Sequence, residues 1–382
     1  MPEARYHPGL HRIALLTAAA TFPLICMGGL VTSHGAGMSV PDWPNTYGYN
    51  MFLFPPRLWV GGVLYEHTHR LMGTVVGILS IALTGWAWRA ELVNLIGRLL
   101  SLLTGGRRGR WRLESRHARP VQWLCVAVLA AVVVQGVLGG LRVVLVELDL
   151  AVVHACFAQA FFCIAALTSV VTSRWWMEAP DPSPDDASRR AGRLLGACLF
   201  ATGLIYAQLI AGALMRHYGA GLAIPDVPLA YGRFVPPLSD EGLHQANALR
   251  AWTFHMDPVT IAQIWLHFAH RIGAVLVSIA VIAAAEIVLR HHRDQPKLVV
   301  PALLLLGLLA TQVVLGLLTV YLRKPADIAS AHVAVGALTL VTTFVTTVRA
   351  IRLYGWVRRP AAAAIEPAAA ETPEAEWSVA AG

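Results

Sequence analysis

Charge is scarce in this sequence. Of 382 residues only 14% are Asp, Glu, Lys or Arg, against 56% hydrophobic, whereas a soluble globular chain carries about 25% charged residues. Cysteine is scarcer still. The five present (Cys26, Cys125, Cys156, Cys163 and Cys198) all fall in apolar stretches and none has CxxC spacing, so they read as small buried hydrophobes. The low charge, with 22 prolines and 32 glycines, also excludes coiled coil, collagen and extended disorder for most of the chain. Together with a mean hydropathy of +0.58, these shortages leave one class, a polytopic all-α membrane protein.

A helix needs about 20 mostly apolar residues to cross the hydrocarbon core. Eight such stretches are predicted, near residues 13–33, 67–89, 121–143, 149–173, 192–215, 262–289, 298–321 and 327–350. The first is too long for a signal-peptide core and lacks a small-residue cleavage site, so it counts as a span. Two connections on one side are long, 34–66 and 216–261; two others on that side, 144–148 and 322–326, are very short and predict helix hairpins. With the N-terminus cytoplasmic, twenty-one of the thirty Lys and Arg fall on the inner side, eight of them from Arg89 to Arg119. This is the positive-inside pattern, so both termini are expected in the cytoplasm. The net charge of +8 therefore sets topology, and no nucleic-acid partner is implied. Residues 357–382 alternate Ala, Pro and Glu without apolar periodicity and read as a disordered tail.

The chain is duplicated. Gly35-Ala36-Gly37…Pro41-Asp42…Pro44…Tyr47-Gly48 recurs 184 residues later as Gly219-Ala220-Gly221…Pro225-Asp226…Pro228…Tyr231-Gly232. Gln135-x-Val137-Leu138-Gly139 recurs as Gln312-x-Val314-Leu315-Gly316, and His69-Arg70 as His270-Arg271. Four helices per repeat give both halves the same orientation. The expected fold is thus two tandem four-helix bundles related by a pseudo-twofold axis along the membrane normal. The corresponding division is a cytoplasmic N-terminus (1–12), an N-terminal half (13–173), a cytoplasmic linker (174–191), a C-terminal half (192–350) and a tail (351–382).

Ionisable groups inside a bilayer are costly and mark functional sites. His69 and His154 lie near the outer ends of the second and fourth helices, and His270 and His332 hold the matching places in the sixth and eighth. Each half therefore offers two imidazoles from non-adjacent helices. Two opposed neutral imidazoles in an apolar four-helix core suit the axial ligation of haem iron. Zinc is served worse, because nothing nearby completes a tetrahedron. Arg70 and Arg271 follow the helix-start histidines, where a cation suits either a haem propionate or an interfacial anchor. The halves differ three residues before the ligand, on its own helix face: Glu66 in one, His267 in the other. A partly buried Glu66 can act as a base or stabilise developing positive charge; a surface Glu favoured by the helix dipole is the alternative.

Glu66-x-x-His69-Arg70, His154, His270-Arg271 and His332, on an eight-span duplicated chain with a Gly-Ala-Gly…Pro-Asp-Trp-Pro outer loop, resemble the haem A synthase family over roughly residues 13–350. The resemblance implies an enzyme that oxidises the C8 methyl of haem O to a formyl group in two successive oxidations, through a geminal diol, making haem A for haem–copper oxidases. It implies that His270 and His332, with Arg271, hold a permanent haem b, and that His69 and His154, with Arg70, bracket substrate haem. It makes Glu66 the catalytic carboxylate, and it implies an electron donor or acceptor and a haem O-making prenyltransferase as neighbours; a homo-oligomer is compatible with it. Some relatives carry a cysteine pair in the first outer loop. Residues 34–66 contain none, so no thiol-mediated electron step transfers to this chain.

Other groups have plainer readings. His34, His217, His244 and His255 belong to the outer loops or their edges, and His67 is expected to face lipid headgroups. His267 is a conceivable substitute for His270, which is preferred because Arg271 follows it. Pro41-Asp42 and Pro225-Asp226 should shape turns, and Gln135 and Gln312 should bridge helices. Trp43, Trp59, Trp252 and Trp265 fit an interfacial belt. A bis-His cytochrome that only moves electrons is a rival reading, but it leaves Glu66 idle. A haem transporter would need polar groups reaching both faces. The absence of an Arg- and Ser-rich segment before the first span favours a bacterial inner membrane over a mitochondrial one.

Overall fold

The computed structural model describes residues 6–103, 118–179 and 189–355, except for the side chains of 189 and 190. The tail beyond residue 355, the centre of the 89–119 segment and most of the 174–191 linker lie outside the described residues. Eleven α-helices are present among the described residues. Eight are long and apolar enough to cross a membrane: α1 (Pro8–Ser33), α2 (Gly62–Ala87), α4 (Arg119–Val144), α5 (Leu148–Val171), α7 (Arg189–His217), α9 (Ile261–His291), α10 (Pro296–Tyr321) and α11 (Ala326–Tyr354). Each predicted span falls on one of them. The hairpins are as short as expected, with three residues between α4 and α5 and four between α10 and α11.

Three further helices lie where loops were expected. α3 (Arg89–Leu103) continues almost directly from α2. It leaves Leu92, Leu95, Ile96, Leu99, Leu100, Leu102 and Leu103 exposed and packs only lightly on α2. A short helix with a broad apolar face beside several arginines suits the plane of a membrane interface. α6 (Arg174–Glu178) is one turn capped by Ser173. α8 (Asp240–Leu249), capped by Ser239 and followed by a π-turn at Arg250–Phe254, organises the second outer loop.

Helix contacts close into two rings, α1–α2–α4–α5 and α7–α9–α10–α11, joined through α1, α5, α7 and α11. Leu10, Val76, Leu83, Cys125, Val128 and Phe161 fill the first ring towards the end away from the long loops, and Ile205, Val281, Leu305 and Leu340 fill the second. Ile25, Phe162 and Ala337 pack across the seam. On the side of the long loops Arg216 of α7 donates to Gly29 O and Ser33 Oγ of α1, and Ser33 Oγ meets Ser330 Oγ of α11 at 2.9 Å. All five cysteines are free.

The duplication extends to single hydrogen bonds in the outer loops. Asp42 accepts the amides of Tyr47 and Gly48, both at 2.8 Å; Asp226 accepts those of Tyr231 and Gly232 at the same distance. Tyr47 donates its hydroxyl to Ser39 O, and Tyr231 donates to Ala223 O. Trp43-Pro44 and Val227-Pro228 are both cis, and Tyr47, Gly48, Tyr231 and Gly232 all have positive φ. Both Pro-Asp turns are therefore built as the sequence predicts.

Candidate functional site

His69 lies seven residues into α2, His270 nine into α9, and His154 and His332 each six into α5 and α11. At about 1.5 Å rise per residue, all four sit roughly 9 to 14 Å from the outer ends of their helices. Each imidazole rests against a glycine of a neighbouring helix. A Cβ added at Gly28, Gly139, Gly212 or Gly316 would come within 3.0–3.1 Å of Cε1 of His69, His154, His270 or His332 respectively. The missing side chains make the space in which the rings stand. Gly28 and Gly212 are 184 residues apart, and Gly139 and Gly316 are 177 apart, so the seats belong to the repeat.

The ring centroids of His69 and His154 are 6.4 Å apart, at 79° between planes. Two metal–nitrogen bonds of about 2 Å, plus roughly 1 Å from each nitrogen to its ring centre, come to about 6 Å, so one iron fits between them. Nδ1 of His69, His154 and His332 is buried with no partner in hydrogen-bond geometry. Main-chain groups one turn before the facing glycines, at Leu24, Gln135 and Gln312, still lie within reach of those rings. Such carbonyls commonly fix the tautomer of a ligating imidazole. Among the described residues no cluster of three or more His, Cys, Asp or Glu comes together; the histidines stand as pairs. The residues present fit haem.

The pairs are held differently. Gln208, one turn before Gly212, places its amide 3.1 Å from His270 Nδ1 and donates to His270 O at 2.8 Å. The equivalent residue in the first half is Leu24, which has no amide to offer. On the other side of each pair Gln135 donates to His154 O at 2.9 Å, while Gln312 Nε2 comes within 3.4 Å of His332 Nε2. Both glutamines thus bridge helices, as expected from sequence.

Glu66 is 2% exposed, which removes the surface-residue alternative. Its Oε2 accepts the Val40 amide at 2.8 Å and its Oε1 accepts Arg70 Nη2 at 3.1 Å. His267 occupies the same place in the second half: its Nδ1 accepts the amide of Ile224, the repeat equivalent of Val40, at 3.2 Å. His267 therefore faces the outer loop and does not stand in for His270. Arg70 donates to the carbonyls of Val40, Asp42 and Asn45, and Arg271 to those of Ile224 and Leu229. Both arginines clamp their loop over their own half, a role the sequence did not reveal. Outside the membrane, burial alone would raise the Asp42 carboxyl. The Gly48 and Tyr47 amides, and then Arg70, outweigh burial and carry it below its ordinary value.

One sequence expectation is corrected here. His67 does not face lipid: it is fully buried, meets Thr46 Oγ1 at 3.3 Å, and packs against Phe54 and Trp59 at 5.1 and 4.6 Å between centroids. A loop that folds back over its helix start reverses the apparent outside of that helix. Trp43 lies over α4, where a Cβ at Gly140 would enter its ring, and Trp59 and Trp265 are tied to the loops; Trp43 and Trp252 are the two exposed members of the four. His34 stacks on Tyr65 at 4.2 Å. Sequence reading also passed over Arg142, whose Nη2 reaches Gly37 O at 3.4 Å. Its signal was present as a lone arginine inside a predicted span.

Fold and site together define an eight-span, internally duplicated membrane protein with a pair of partly buried histidines in each half. The chain belongs to the COX15-CtaA family of cytochrome oxidase assembly proteins, whose family model matches residues 61–345. Among curated relatives it is 26% identical over 284 residues to a heme A synthase of Shouchella clausii, covering 72% of this chain and 82% of that protein. It is 28% identical over 320 residues to one of Geobacillus kaustophilus, covering 83% of each. A heme A synthase of a Caulobacter species matches at 25% over 357 residues, covering 90% of this chain and 95% of the relative.

Proposed function

We propose that this chain is a haem A synthase: a membrane oxidoreductase that takes haem O, oxidises its C8 methyl to a formyl group and releases haem A for haem–copper oxidases. The observation that carries this reading is the asymmetry at one place in the repeat. A buried carboxylate, Glu66, lies one turn from His69, where the second half has His267. An electron-carrying cytochrome would have no use for that difference, and the names of the relatives support the enzyme.

In this reading the protein is two four-helix bundles related by an axis along the membrane normal, in a bacterial inner membrane with both termini cytoplasmic. His270 and His332 hold a resident haem b in the C-terminal half (192–350). His69 and His154 bracket substrate haem in the N-terminal half (13–173). Haem held by His270 and His332 would supply one-electron redox chemistry to the first half. Glu66 is the catalytic group. Each of its oxygens is fixed by one N–H, which leaves lone pairs on both for the reacting methyl position, where it takes a proton or stabilises positive charge. Arg70 and Arg271 keep the outer loops closed over the two pockets, so that bulk water is excluded. A haem O-making prenyltransferase upstream and an electron acceptor are the partners this chemistry needs.

The test is to express the chain with and without a source of haem O and to analyse the extracted haems. Hydroxylated or formyl haem that depends on haem O is the expected result. Unchanged haem O beside intact haem b would sink the enzyme in favour of a cytochrome.

A further inference from the structure

Gln135, Gly139 and Arg142 are spaced four and three residues apart, so they share one face of α4. Gly139 seats His154, and Arg142 stands one turn further out on the same face. Its guanidinium lies against Gly37 of the first outer loop, where its contact with the Gly37 carbonyl, at 3.4 Å, is long. Its charge reaches Glu66 and both His69 and His154. Among the described residues it forms no ion pair; the carboxylate nearby, Glu66, is paired with Arg70. The repeat places Thr319 at the equivalent position, so this cation belongs to the first half alone. Arg70 has spent four hydrogen bonds on the loop and on Glu66. Arg142 has not.

A partly buried guanidinium without a counter-ion, at the outward rim of an apolar pocket, is a receptor for a carboxylate. Haem is apolar around most of its edge and carries its carboxylates together on one side. We propose that Arg142 binds a propionate of the substrate haem and thereby selects which methyl meets Glu66. This deepens the proposed function and rests on its assignment of His69 and His154 to substrate haem. The C8 methyl shares its pyrrole ring with one propionate and the C5 methyl with the other, and the Arg142 charge reaches Glu66. Gripping a propionate would turn one of these two methyls, and not the C1 or C3 methyl, towards the carboxylate.

The experiment uses the full chain carrying its resident haem. It is titrated with haem O and, separately, with the dimethyl ester of haem O, and entry of the second haem is followed in the Soret band. A lost charge-assisted hydrogen bond should weaken the ester roughly tenfold to a hundredfold in the wild type. Arg142→Thr should bring the two ligands to parity without changing the resident-haem spectrum, and Arg142→Lys should restore part of the preference. Equal affinity in the wild type, or an undiminished preference in Arg142→Thr, would overturn the proposal; if the Thr variant does not fold, the wild-type ratio and the Lys variant decide it. His69→Ala separates the two layers. A second haem that enters without His69 sinks the substrate-site assignment, whereas one that needs His69 but ignores esterification sinks only the role of Arg142.

Discussion

The two halves of this protein share a scaffold down to individual hydrogen bonds and differ at a few positions around one site. Both hang their loops on a Pro-Asp turn, both fasten that turn with an arginine one residue past a helix-start histidine, and both seat their imidazoles on glycines. The first half then has Leu24, Glu66 and Arg142 where the second has Gln208, His267 and Thr319. At these three positions the second half has neutral hydrogen-bonding groups, and the first loses one amide and gains a carboxylate and a cation; the second half's own extra cation, Arg216, is spent on the seam with α1. In the proposed reading, a site that retains a ligand and one that exchanges and transforms it share a common frame and differ at a few side chains.

The largest effect expected from breaking this contrast is at the iron ligands. His332→Ala should lose nearly all resident haem, and His69→Ala should keep it while abolishing product, as read from the spectrum and extracted haems of the purified proteins. If His69→Ala lost the resident haem and His332→Ala did not, the halves would have been assigned backwards. Next comes Glu66→Gln, which preserves the shape and removes the charge. It should retain resident haem but slow product formation by a factor on the order of 100 or more, and a normal rate would end the catalytic role of Glu66. Exchanging the amides should matter less. Gln208→Leu should speed the loss of resident haem about tenfold, in line with one hydrogen bond, and Leu24→Gln should slow haem exchange in the first half by a similar factor, both measured by transfer to a haem scavenger.

The smallest effect is at the loops. The Asp42 carboxyl titrates below its ordinary value because its folded form accepts two amides. A group with a depressed folded pKa contributes stability above its unfolded value, about 3.9, and loses it as the pH falls towards the folded one. Protease sensitivity of the first outer loop should therefore rise only at acidic pH, and Asp42→Asn should make it sensitive at neutral pH without touching the second loop.

Much of this was legible in the sequence, because the bilayer enforces simple rules. Eight apolar runs could only be helices. Repeats at fixed offsets made His69, His154, His270 and His332 stand out as a set. The failures share one physical origin. The burial of His67 and the clamps of Arg70 and Arg271 depend on long outer segments folding back onto helix starts. Periodicity describes a helix against its surroundings, and it cannot say that the surroundings are another part of the same chain. Arg142 was overlooked because positive charge in this sequence had already been explained by topology. The amphipathic α3 was hidden by the same arginines that mark an inner loop.

The seam between the rings has a consequence for rate. Ile25, Phe162 and Ala337 interlock there, and Arg216 fastens α7 to α1 at the outer edge. The histidine pairs therefore cannot drift apart or tilt independently, since packed interiors resist deformation. In the proposed reading, an electron passing from one pocket to the other would cross a gap whose width these seam contacts set when the helices assemble.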